Sequence, residues 1–200
     1  MKFIGDGIFT KAYLKDDNRV LLESYCPIKR IMSKGLFPKS PLFPQITYIG
    51  EKESEDTDCL PMSIYEMEHL QIADDMDGYI HENLNSENIK IYEELKELCR
   101  YVYDRYDEIH YDTEFWLEQL ERIENRELRE VLIKSLQTLL ANGLLEIHLE
   151  IPYFNLAIKD HEQLILLDIW GLEANPKYFS SSEKFNEFNE FGLTSEDWDV

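Results

Sequence analysis

No run of about 18 apolar residues occurs in this chain of 200 residues, and its amino terminus lacks the charged-then-apolar pattern of a secretory signal. The expectation is a cytoplasmic protein with neither membrane insertion nor export. Cysteine is scarce. Cys26, Cys59 and Cys99 are odd in number and widely spaced, which fits neither a disulfide framework nor a zinc ligand pattern and leaves packing as their role. Positive charge is also short, with 20 Lys and Arg against 41 Asp and Glu and a formal net charge of −21. That balance argues against direct nucleic-acid binding, which needs clustered Lys and Arg on the phosphates. The acidity serves solubility, or it imitates DNA and occupies the groove of a basic or nucleic-acid-binding protein partner.

What is present is enough for one compact unit. The hydrophobic fraction is 44%, and the length is that of one ordinary domain. The first quarter reads as β structure: Phe3 to Tyr13 is rich in strand formers, Asp16-Asp17-Asn18 makes a polar turn, and Val20-Leu21-Leu22 resumes an apolar run. Prolines 27, 38, 41 and 44 leave room for one or two helical turns between Ile28 and Gly35. Gln45 to Ile49 and Pro61 to Met67 are further strands, separated by an acidic loop from Glu51 to Asp58. From Ile89 the apolar residues recur every three or four positions, which predicts an amphipathic helix. A second helix starts with Thr113 as N-cap, and a third carries Leu128, Val131, Leu132, Leu136, Leu139 and Leu140 up to the stop signal Asn142-Gly143. Leu144 to Ile147, Leu156 to Ile158 and Leu164 to Ile169 read as extended segments, the last two joined by a turn at Lys159-Asp160-His161-Glu162.

Two stretches carry candidate chemistry. Ile4-Gly5-Asp6-Gly7-Ile8-Phe9 sits where one strand turns into the next. Glycines there let backbone amides approach phosphate oxygens, and an aromatic residue at the tip can cap such a site; two glycines two apart also serve as an ordinary tight turn. The second stretch is His148-Leu149-Glu150 with Asn155, followed after a hairpin by the apolar strand ending in Asp168-Ile169-Trp170-Gly171. As plain sequence these polar residues also suit loops and turns.

Together the two stretches resemble a protein kinase: a glycine-rich hairpin first, helices between, then histidine, an acid two positions on, asparagine five beyond that, and aspartate 13 residues after the asparagine. The small serine/threonine protein kinases of tailed bacteriophages are the most similar group. The resemblance implies an α+β, two-lobed fold, with a β-rich lobe over residues 1–68, a reduced helical lobe over 69–179 and an acidic tail over 180–200. It implies ATP and magnesium as cofactors, with Asn155 and Asp168 as metal ligands and Glu150 at the base position. Gly5, Asp6, Gly7 and Phe9 would lie over the nucleotide, and Glu66 and Glu68 would lie in the interlobe hinge.

The departures from that family are specific. Leu22 or Glu23 stands where the third strand should carry a lysine, the segment from Pro27 to Lys34 contains no acid, Trp170 replaces a phenylalanine, and 29 residues follow Gly171. The implied function is a pseudokinase that binds and regulates another protein. One alternative is an active serine/threonine or small-molecule kinase in which Lys11, Lys15, Lys29 or Lys34 supplies the missing charge. Another is an acidic mimic of nucleic acid that inhibits a DNA-binding protein.

Overall fold

The computed structural model describes residues 1–6, 9–52, 61–72, 76–103, 113–144, 147–150 and 155–172. The chain is α+β. Five strands, β1 (Lys2–Asp6), β2 (Thr10–Leu14), β3 (Arg19–Ser24), β4 (Ile46–Lys52) and β5 (Met62–Glu68), form one antiparallel sheet in the order β1-β2-β3-β5-β4. The β2–β3 turn falls on Asp16-Asp17-Asn18. Asn18 takes φ 61°, a left-handed conformation that asparagine tolerates, and its amide donates to the Lys15 carbonyl at 3.1 Å.

Between β3 and β4 lies the short helix α1 (Pro27–Ser33), started by proline at its first position, where a missing N–H costs nothing. Strand alternation then decides which side chains face α1 and the rest of the chain. Val20 and Leu22 of β3 pair across to Met67 and Tyr65 of β5, and all four join an apolar cluster with Ala157 and Ile165.

The second half contributes β6 (Gln71–Ile72), α2 (Met76–Asn83), α3 (Ser86–Tyr103), α4 (Thr113–Leu120), α5 (Arg126–Ala141), β7 (Ile147–Leu149), β8 (Leu156–Lys159), β9 (Gln163–Leu166) and β10 (Trp170–Leu172). β8 and β9 form a hairpin whose turn places Asp160 and His161 at φ 52° and 61°, and β6 adds to its outer edge. β7 and β10 pair separately. The helix expected from Ile89 starts three residues earlier, at Ser86, and α2 precedes it without a comparable apolar period to announce it. Of the extended segment expected from Leu164 to Ile169 only the part up to Leu166 is strand; the chain bends there, with Asp168 at the bend, and the next strand begins at Trp170.

The α5 face Leu128, Leu132, Leu136 and Leu139 repeats at helical spacing and is fully buried. Its N-cap Asn125 accepts from the Leu128 amide at 3.0 Å and donates its own amide to the Glu94 carboxylate of α3, so one residue both starts α5 and ties it to α3. Trp170 donates its indole N–H to the Ser135 hydroxyl at 2.9 Å, fixing β10 on α5. The boundary expected at residue 68 coincides with the end of β5, but burial crosses it. The main core joins Cys26, Ile28, Ile31, Phe37, Leu42 and Phe43 to the helices and to β7–β10. Among the described residues no helix is long and apolar enough to cross a membrane. The tail from residue 180 and the acidic loop beyond Lys52 lie outside the described residues.

Leu132 touches solvent nowhere and sits mid-helix, so Leu132→Ala removes buried methyl groups and leaves a cavity. The expected cost is about 2–5 kcal/mol. In urea denaturation the midpoint should fall while the slope is unchanged.

Candidate functional site

Three of the residues expected to carry chemistry meet at the bend after β9, and the backbone brings them there. The amide of Leu167 donates to the Asn155 carbonyl at 2.8 Å, and the amide of Glu150 donates to the Ile169 carbonyl at 2.7 Å. Asp168 is therefore bracketed on both sides by bonds to the other two. The Asn155 side-chain amide also donates to the Glu150 carbonyl, at 3.4 Å. This bracket follows from the local sequence, because the β8–β9 hairpin aligns Leu156 with Leu166 while the β7–β10 pair aligns Leu149 with Trp170.

The fourth member comes from 139 residues earlier in the chain. Lys29 of α1 reaches Asp168 with Nζ 2.7 Å from Oδ2. The lysine side chain is 8% exposed and that of Asp168 40%, so the pair is open to water only on the carboxylate side. Burial alone would push the ammonium toward deprotonation. The charge of Asp168 and its hydrogen bond outweigh burial, with Cys26 and Tyr65 acting in the same direction, and hold Lys29 above the ordinary lysine value. Glu150 is shifted upward, first by burial and second by the negative charge of Asp168.

His148 and Gly171 form a second layer. They face each other across the β7–β10 pair, and the imidazole lies so close over Gly171 that a Cβ there would come within 2.6 to 2.8 Å of two ring carbons. Any larger residue at 171 would displace the ring, whose Nε2 is 4.0 Å from the Glu150 carboxylate.

The remaining expected residues lie elsewhere. Glu66 and Glu68 alternate with the inward Tyr65 and Met67, so their side chains point away from the sheet's packed face. Glu66 is held by Lys15 at 2.6 Å and Arg19 at 3.0 Å, and Glu68 by Lys159 at 2.8 Å. Gly5 is inside β1 opposite Ala12, with no atom within 4 Å of where a Cβ would stand, and Asp6 is exposed opposite Lys11. Gly7 lies outside the described residues. Phe9 packs against the main core. Its carbonyl accepts from the Tyr25 amide at 3.0 Å and the Ser24 hydroxyl at 3.1 Å, which anchors the hairpin to the β3–α1 junction.

Strand register also identifies what stands where a third-strand lysine would point inward. Leu22 faces in, Glu23 lies on the opposite face, itself buried and paired with Lys52 at 3.0 Å, and Ser24, fully buried, comes next on the Leu22 face. Of the four lysines considered from sequence, Lys15 is engaged by Glu66, while Lys11 and Lys34 are exposed. Lys29 alone is buried against the site. A seven-residue helix with Lys29 and Arg30 has no acid of its own, so a buried lysine there needs a carboxylate from elsewhere.

The two residues expected to hold a divalent cation make other contacts in this arrangement. Magnesium takes oxygen donors in octahedral geometry. Here an Asp168 oxygen is engaged by an ammonium and the Asn155 amide is turned to a backbone carbonyl. Among the described residues no group of three or more His, Cys, Asp or Glu is placed to hold a metal.

The ion pair has a pH signature. Because Lys29 is held above its ordinary value of 10.5, its stabilisation is complete below that pH and is lost as pH rises further. In Asp168→Asn the buried ammonium has no counter-ion, burial pushes it below 10.5, and the variant gains stability as pH rises toward 10.5. Cys26 and Tyr65, both pushed up by burial, titrate in both proteins, so the informative quantity is the difference between variant and wild type. It should be about 3 kcal/mol at pH 7, the low end for a broken buried pair because Asp168 is partly open to water, and should shrink as pH rises from 7 toward 10.5. Urea midpoints across that range read it, and a difference independent of pH would mean Lys29 is not charged and paired. Comparison of the chain with family models, with curated proteins and with solved structures finds no match, so the site is argued from its own geometry.

Proposed function

We propose that this chain is a degenerate protein kinase-like protein whose cleft takes a phosphate-bearing ligand but transfers no phosphoryl group, and which acts by binding another protein. The observation that carries this reading is the Lys29–Asp168 pair: the aspartate that the resemblance assigns to the nucleotide's metal is engaged by a buried lysine from α1. The convergence of Glu150, Asn155 and Asp168 supports it further. So does the mixed α+β arrangement, in which a five-stranded antiparallel sheet with one helix after its third strand is compatible with a small β-rich lobe.

Phosphoryl transfer depends on charge preorganised around the phosphates and on a correctly placed base. The Lys29 charge is already neutralised by Asp168. Glu150 also carries one methylene more than the usual aspartate, and a displacement of about 1 Å can cost about 10²-fold in rate. The protein partner is a basic one, suited to a chain of net charge −21, and its association should weaken with ionic strength.

One observation favours a second reading, an active kinase with a displaced lysine: Lys29 brings to Asp168 the positive charge that β3 lacks. Incubation with radiolabelled ATP and magnesium separates the two. No label should appear on the protein or on generic protein substrates. Robust labelling that disappears in Asp168→Ala would overturn the inactive reading in favour of the displaced lysine.

A further inference from the structure

Asp168 is conventionally placed to bind metal, but its geometry here is that of a ligand bound to a lysine. Lys29 is buried with its ammonium on Asp168, and the aspartate is the member open to water. An ammonium buried in this way needs an anion at its head, and the carboxylate fills that role from within the chain. Its Oδ2 at 2.7 Å makes the contact that an oxygen of a bound phosphate would make.

We propose that Lys29 is the anion-binding group of the cleft and that Asp168 is its built-in competitor, so that a phosphate-bearing ligand enters by displacing the carboxylate, without a divalent metal. This rests on the phosphate-cleft part of the function proposed above. It specifies that function in a direction opposite to metal-dependent binding. Where aspartate holds the nucleotide's magnesium, removing its charge abolishes binding; where aspartate competes for the lysine, removing its charge strengthens binding. The same variant therefore gives opposite signs.

The test is thermal denaturation of the full chain with ATP or with inorganic tripolyphosphate, each in EDTA and each with magnesium, at fixed ionic strength. Occupation of a site on the folded chain raises the melting temperature in proportion to ln(1 + [L]/Kd). The inference expects a small rise for wild type in EDTA and a larger one for Asp168→Asn, equivalent to binding tighter by about tenfold or more for one removed unit charge at contact distance. Lys29→Met should show no rise. Tripolyphosphate acting like ATP would assign recognition to the phosphates, whereas a response to ATP alone would overturn that part of the inference.

Wild-type stabilisation that requires magnesium and is lost in Asp168→Asn would overturn the inference and leave the phosphate cleft standing. Absence of any rise with either ligand, with or without magnesium, would remove the cleft and the inference together. If Asp168→Asn does not fold, wild type decides alone: a rise in EDTA that magnesium does not enlarge supports the inference, and a rise seen only with magnesium overturns it.

Discussion

A charged lysine inside a protein must have a counter-ion, and the rest of this structure can be ordered around how Lys29 obtains one. Transferring an ammonium out of water costs several kcal/mol after relaxation, and α1 offers no acid of its own. The partner is Asp168, and it is delivered by a chain of local arrangements: the β8–β9 hairpin, the break in the apolar strand after Leu166, and the resumption at Trp170. The bond from Leu167 to Asn155 and the bond from Glu150 to Ile169 hold that break open at a fixed width. On the other side, α1 is positioned by Arg30, which donates to Ser63 of β5 at 3.1 Å, lies 3.6 Å from Glu51 of β4 and stacks over Tyr48. Two neighbouring residues of one short helix thus divide the work, Arg30 fastening it to the sheet and Lys29 to the hairpin.

The apolar contacts reinforce the same junction. Tyr65, 1% exposed, lies in the sheet's cluster with Ala157 and Ile165 of the hairpin, while α1 and the proline-bearing segment behind it enter the main core beside the helices. Leu166 donates its amide to the Leu42 carbonyl at 2.7 Å, and Gln163 donates to the Pro41 carbonyl at 2.9 Å, so the segment after α1 is hydrogen-bonded to β9. A second ion pair of reversed polarity, Glu68 with Lys159, joins the end of β5 to β8. Opposite charges therefore join α1 to the bend after β9 and β5 to β8, with packed hydrocarbon between.

Local features were legible in the sequence because their causes are local. The turn at Asn18, the N-terminal proline of α1, the helical period after Ile89 and the Asn142-Gly143 stop each follow from a few neighbouring residues. Glu150, Asn155 and Asp168 were singled out through the resemblance, and the bonds that bring them together run through the β8–β9 and β7–β10 pairings. Lys29 was legible only as one of four candidates, because its partner is 139 residues away and nothing nearby distinguishes it from Lys34. The orientation of Glu66 and Glu68 was not legible, since a shift of one residue in strand register reverses inward and outward. The weakly patterned α2 falls in the same class, because short helices owe most of their stability to tertiary packing.

The account stands or falls on whether Lys29 and Asp168 interact energetically in the folded chain. A double-mutant cycle with Lys29→Met, Asp168→Asn and the double variant, read by urea denaturation at pH 7, measures that interaction apart from the cost of either substitution alone. A coupling of about 2 kcal/mol or more is expected, with the double variant more stable than Asp168→Asn because the unpaired buried ammonium is gone. Additivity of the two single variants within about 0.5 kcal/mol would show that the two residues do not meet, and would contradict the reading of this site.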